Sequence, residues 1–406
     1  MISFASEMEK SRRLGFGEFV GLMATLIALT ALSIDAMLPA LTVIGSDLGV
    51  TEPNDNQLII SVLFLGLAIG QLFYGPLSDS MGRKPALYLG LAFFGMGCFI
   101  SLFSANLTGM LIGRCLQGIG LSGPRVVSVA IIRDLYKGDR MAQVMSFVMA
   151  VFIAVPALAP ALGQGILYLA NWRMIFAALL ALGIVVLIWF SIRQDETLPK
   201  EKRIKFTIAN LVKAVKEIST IRSTIFYTLA AGFISSAFVG FLNSSQQIFQ
   251  IQFQLGEKFP MYFAAIALSV GTASFVNGKL VMRFGMQQMV RSAALAIVTI
   301  SIVFFTLTNT VIPSPSLPIF MLYLLSTVFF VGILFGNLNS LAMEPLGHLA
   351  GIGAALVGSV STFISVPFGT YIGMHYNGTV EPLVIGFLIF GALSGISIFL
   401  AKGAQK

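Results

Sequence analysis

The sequence is short of charge. Asp, Glu, Lys and Arg make up 10% of its 406 residues, against about 25% in soluble globular proteins, whose surfaces must face water. So little charge excludes a soluble enzyme, a disordered chain and a nucleic-acid-binding domain, and the net charge of +8 does not reverse this. Cysteine is scarce too. Cys98 and Cys115 are the only two, and both lie in apolar runs, so the sequence offers no disulfide framework and no thiolate metal site. A G-x-x-x-x-G-K-[ST] phosphate loop is also missing, which excludes ATP as the driver. No metal and no cofactor is expected.

Apolar residues fill the space. They make up 57% of the chain, with 35 Phe and a mean hydropathy of +0.91. A spanning helix needs roughly 20 apolar residues, and a window of that size predicts twelve spans: 18–42, 57–77, 86–104, 109–132, 142–165, 173–192, 223–245, 259–282, 291–309, 318–341, 351–374 and 382–401. Runs such as Ala177 to Trp189 are apolar without alternation, which excludes a membrane β-barrel. The first run is too long for a signal-peptide core, so it is read as a retained span. The fold class is therefore an all-α polytopic membrane protein with twelve transmembrane helices.

Basic residues set the expected orientation. With the N-terminus inside, the cytoplasmic segments collect 21 of the 25 Lys and Arg, from Lys10, Arg12 and Arg13 to Lys402 and Lys406. Arg173 and Lys258 fall outside, and Arg114 and Arg125 lie within a span. Both termini are thus expected in the cytoplasm of a bacterial inner membrane. The longest polar stretch divides the chain into a bundle over 1–192, a linker over 193–222 and a second bundle over 223–406. Within the linker, Phe206, Leu211, Val212, Val215 and Ile218 alternate with Lys213 and Lys216. This pattern suits either an amphipathic helix on the inner leaflet or a plain solvated connection.

The two bundles are related. Gly75, Leu77 and Gly82, after the second span, align with Gly278, Leu280 and Gly285, after the eighth, at one constant offset. Six-helix parallel repeats of this kind are a recurring arrangement of secondary transporters. The first copy reads G-x-L-x-D-x-x-G-R-K, with Asp79, Arg83 and Lys84 as its charged members. Here the sequence resembles the major facilitator superfamily. The resemblance implies a cytoplasmic latch of Gly75, Asp79, Gly82, Arg83 and Lys84 that joins the two halves in the outward-facing state, with Arg133 and Asp134 as partners. Met282 stands where the second copy would carry its acid, so a second latch there is weaker.

Further motifs narrow the resemblance. Arg114-Cys115-Leu116-Gln117-Gly118 resembles the R-x-x-Q-G motif of proton-coupled members. Pro156, Pro160 and Gly163 resemble the antiporter motif of the fifth helix, although Ala159 and Gln164 depart from its usual form. The runs Arg125-Val126-Val127, Ile132-Arg133-Asp134-Leu135-Tyr136 and Ala342-Met343-Glu344-Pro345-Leu346-Gly347-His348 are similar to the bicyclomycin-resistance (Bcr/CflA) type of drug:proton antiporter. Such a protein is not an enzyme. It exports drugs or other amphipathic small molecules by alternating access, works in the lipid bilayer, uses protons and is read as a monomer. Export of a native metabolite such as an amino acid or siderophore is the alternative. A transporter-shaped sensor would need a signalling domain, and a lipid scramblase would not need a titratable acid within a span.

One such acid exists. Of the 17 acids, Asp35 alone lies well inside a span, where an ionised carboxylate costs at least about 2.5 kcal/mol. Two outcomes are open: it holds a proton that it carries across, or it pairs with a cation such as Arg114. Arg125 is a further candidate for the cavity or its gating, with Gln117, Pro156, Pro160 and Gly163. In the second half, Asn243, Gln246, Gln247, Asn337 and Asn339 are candidates to bond a substrate, or to bond between helices.

Overall fold

The computed structural model describes residues 14–204, 207, 212 and 215–402. Lys10, Arg12, Arg13, Lys406 and the linker positions Phe206, Leu211 and Lys213 lie outside the described residues. Among the described residues, twelve helices are long and apolar enough to cross a membrane: α1 Phe16–Asp47, α2 Pro53–Met81, α3 Arg83–Leu102, α4 Leu107–Leu135, α5 Gly138–Leu169, α6 Arg173–Arg193, α7 Arg222–Gln252, α8 Gly256–Phe284, α9 Met286–Thr310, α10 Leu317–Leu346, α11 Gly351–Met374 and α12 Glu381–Ala401. Most run past the predicted windows, because their last turns are polar and lengthen the helix without adding hydropathy. Each of α1 to α12 reverses the direction of the one before, so the start of α1, the end of α12, the end of α6 and the start of α7 share one side, here called the terminal face.

The breaks between helices are local. Gly82 is the one residue between α2 and α3 and has φ +105°; Gly285, between α8 and α9, has φ +78°. A side chain strains at such angles, so the repeat seen in the sequence marks a shared turn. α1 is not continuous: it is α-helical to Asp35, turns at Ala36 and Met37, and tightens to a 3₁₀ turn over Leu38–Ala40. Pro39 causes this, because it has no N–H for the carbonyl of Asp35 four residues earlier. In α7 the last turns widen to a π-helix over Gln247–Gln252, a form frequent at functional positions.

Packing follows the two halves. In the first, α4 packs on α2 and α3, α3 on α6, and α1 on α5; in the second, α7 packs on α11 and α12, and α9 on α10 and α12. Glycine opens a close seam between α2 and α4, where Gly66 and Gly118 leave room only for backbone, as small residues do between membrane helices. Across the halves, α2 packs on α11 and α5 on α8. Residues 194–204 fasten onto the first half, where the N–H of Ile204 donates to the carbonyl of Asp79 at 3.0 Å. Ile218, 8% exposed, lines an apolar groove of about 150 Å³ with Val215, Thr224, Leu229 and Val357 of the second half.

Candidate functional site

Asp35 sits at the lip of the α1 break. It is 4% exposed, and among the described residues its carboxyl has no hydrogen-bond or ion-pair partner. Arg114 does not supply one. Its guanidinium, fully buried, donates from Nε to the carbonyl of Ile59 at 3.0 Å, from Nη1 to Gln117 Oε1 at 2.6 Å and from Nη2 to the carbonyl of Ser33 at 2.9 Å. Arg114 thus ties α4 to α2 and to the broken segment of α1, while Gln117 is drawn into the α3–α4 interior, its Nε2 donating to Cys98 Sγ at 3.4 Å. The open alternative of a fixed Asp35–Arg114 pair is not formed. Gly163 of α5 meets the carbonyl of Ala36 at the same break, where any Cβ would collide with it. Pro156 and Pro160 lie inside α5 without ending it.

Toward the face opposite the termini, polar side chains bridge the halves. Gln246 Nε2 donates to Thr42 Oγ1 at 2.7 Å, Gln247 Nε2 to Asn54 Oδ1 at 2.6 Å and Asn243 Nδ2 to Ser61 Oγ at 2.9 Å. Asn54 Nδ2 also donates to the carbonyl of Met374 at 2.8 Å and to that of Tyr376 at 3.1 Å. Asn243, Gln246 and Gln247 are therefore part of a seal between α7, α1 and α2. Asn337 bonds within its own half, donating to Asn277 Oδ1 at 2.7 Å and to the carbonyl of Ile333 at 2.9 Å. Asn339 is exposed.

At the terminal face the motif residues form one cluster, arranged differently from the expected latch. Arg83, 3% exposed, lies between two acids, with Nη1 to Asp79 Oδ1 at 2.5 Å and Nε to Asp134 Oδ2 at 2.8 Å. Lys84 Nζ donates to the carbonyls of Ser191 and Gln194 at the end of α6, where a cation satisfies the free carbonyls. Sequence reasoning missed Glu196: its carboxylate accepts the N–H groups of Arg83 and Lys84 at 2.9 and 3.0 Å, and so caps α3. Thr197 Oγ1 donates to Asp134 at 3.0 Å. Glu-x₀-Thr just after a helix was legible as polar, but its partner lies more than 110 residues earlier. The ion pairs stay within the first half. Across the halves, Gly75 faces Ala355, while Asp79 and Arg133 lie beside Gly351 at the start of α11.

Between these layers, two stripes that carry polar groups are exposed. On α10 they are Gly336, Asn339 and Ser340; on α4, at a spacing of four, Arg125 and Arg133 with Val129 between them. No extended seam joins α4 to α10, and a lipid-facing stripe would be apolar, as Leu322, Ile396 and Phe399 are. Both stripes lie on the terminal side of the polar seal, on helices of opposite halves.

Two related bundles, an unpaired acid at a helix break and a polar seal between the bundles on one side define a membrane carrier. The Major Facilitator Superfamily model matches residues 23–370, and the chain belongs to that superfamily. It is 29% identical over 390 residues to the uncharacterized MFS-type transporter YdgK of Bacillus subtilis, covering 95% of this chain and 96% of that one. It is 28% identical over 373 residues to the bicyclomycin resistance protein homolog of Haemophilus influenzae, covering 90% and 91%. With the multidrug resistance protein MdtL of Shewanella oneidensis it shares 28% over 379 residues, 93% of each chain. Among solved structures, the partially occluded inward-open xylose transporter XylE of Escherichia coli superposes with a TM-score of 0.67 at 14% identity, covering 95% of this chain and 96% of that one. That likeness is one of fold.

Proposed function

We propose that this transporter exports drugs or other amphipathic small molecules in exchange for protons, by alternating access, from a bacterial inner membrane in which the terminal face is cytoplasmic. The observation that carries the proposal is Asp35, buried and unpaired at the α1 break. A bare carboxylate there is disfavoured by at least about 2.5 kcal/mol, so the group holds a proton until water or a cation enters between the halves. Arg114 keeps the lip of the break in place rather than neutralising the acid. Pro39 leaves the carbonyl of Asp35 without its ladder donor, so the segment around the acid is free of one helical constraint. The proton gradient is the driver, with no nucleotide. Two relatives named for drug resistance support the substrate class.

Asp35→Asn keeps size and hydrogen-bonding reach but cannot titrate. In vesicles of the purified variant, a substrate picked from an antibiotic and dye panel still binds, whereas accumulation against its gradient under an imposed pH difference falls to background. Substrate-induced proton release disappears with it. Uphill accumulation by Asp35→Asn overturns the proposal.

A further inference from the structure

Arg125 stands in the middle of α4, about 15 Å along the helix axis from Leu135 at a rise of 1.5 Å per residue, and yet it is exposed. It does not face the neighbouring helix α3. Gly113 and Gly120 make that contact, against Gly97, Ser101 and Phe94, and Arg125 lies about 140° round the helix from Gly120. Unlike Arg114, which serves three acceptors, and Arg83, which is held by two carboxylates, Arg125 has no hydrogen-bond or ion-pair partner among the described residues.

The same layer holds unpaired polar groups. Gln71 of α2 is 6% exposed, with Nε2 buried and without an acceptor. Its level follows from its neighbours: Gly70 packs against Ser122 and Tyr74 against Gly123, within a turn of Arg125. Gln71 also reaches the seam between the halves, beside Gly358 of α11. Ser128, one turn beyond Arg125, has a buried hydroxyl with no partner. Among the described residues, no acid pairs with these groups. Asp35 belongs to the Arg114 layer, Asp79 and Asp134 are held by Arg83, and the exposed Asp139 and Glu344 lie at the mouth among Arg133, Lys137, Arg140, Lys279 and Arg283. Sidedness of insertion accounts for the basic mouth; it does not account for a cation at mid-depth. A basic mouth draws anions inward, and a guanidinium fork matches a carboxylate or a similar oxyanion with two parallel bonds.

We infer that the transported substrates are amphipathic organic anions, and that Arg125, with the Gln71 amide at the same level, receives the anionic group while the apolar body lies between the halves. The inference rests on the export reading and names its substrate class. Its test uses the full-length protein in vesicles and two probes that differ by one charge, dansylglycine and dansylglycinamide. The carboxylate binds at least about tenfold tighter, as expected of a charge-assisted hydrogen bond. Arg125→Gln abolishes that preference and leaves the affinity for the amide within about twofold, and Arg125→Lys restores part of it. Equal binding of the two probes, absence of binding by dansylglycine, or an intact preference in Arg125→Gln overturns the inference. Transport by the same vesicles separates the two proposals. Uphill, pH-driven movement of the amide without preference for the anion removes the anion site alone; a preference for the anion without pH-driven movement removes proton exchange alone.

Discussion

Arg114 acts as a strut between helices. Its three bonds end on the carbonyls of Ser33 and Ile59 and on Gln117, and each buried acceptor left without a donor costs about 1–3 kcal/mol. Arg114→Ala is therefore expected to lower the melting temperature of the detergent-purified protein markedly, whether or not Asp35 is also replaced by Asn. Arg114→Lys does not rescue it, because an ammonium lacks the planar fork that reaches all three acceptors. An unchanged melting temperature in Arg114→Ala removes the strut. The charge census in the sequence located both Asp35 and Arg114 as buried groups. It did not reveal that they ignore each other, because the backbone carbonyls of Ser33 and Ile59 that hold Arg114 have no signature in a list of side chains. Glu196 stayed hidden for a related reason, since the N–H groups it caps belong to a helix far away in the sequence.

At the scale of elements, α1 depends on one proline. Pro39→Ala returns a donor to the carbonyl of Asp35 and lets the ladder run from Asp35 into Leu41. Straightening moves Ala36 against Gly163, where no space is left. The expected outcome is a variant that inserts normally, shows a longer spin-label distance across the break and transports at a small fraction of the wild-type rate. Wild-type turnover with a straightened α1 dismisses the break as a functional feature. The twelve helices were legible because 20-residue apolar runs admit almost no other structure in a bilayer. Their inner detail was less so. The Asp35-x-x-x-Pro39 spacing was present in the sequence, yet hydropathy windows average over it, and the π-turn of α7 follows from tertiary contacts of Gln246 and Gln247.

For the molecule as a whole, the seal at the opposite face is a set of hydrogen bonds between neutral side chains, each worth about 0.5–1.5 kcal/mol net. Removing two of them with Gln246→Ala and Gln247→Ala shifts the balance toward the form open on that side by roughly five- to hundredfold. A cysteine introduced at Gln57, fully buried between Asn54 and Ser61 on α2, reports this as faster labelling by a membrane-impermeant thiol reagent. Unchanged labelling in the double variant shows that the seal is held elsewhere. The constant offset between Gly82 and Gly285 made the two-bundle plan legible, because a left-handed turn between helices accepts little but glycine. Contacts between the bundles were not legible: Asn243 and Gln246 read as substrate candidates or, more readily, as bonds between helices, and nothing in the sequence named Ser61 or Thr42 as the partner.

The way the connection is fastened has a mechanical consequence. Its start is sewn to the first bundle as far as Ile204, and its end packs on the second from Val215. Between these two points the chain extends at most about 40 Å, at 3.6 Å per residue. A leash of that length holds each bundle at an effective concentration in the millimolar range with respect to the other. The interface itself therefore has no need to be strong. It is free to be polar, thin and re-formed at every cycle, since whatever separates on one face is still tied within reach on the other.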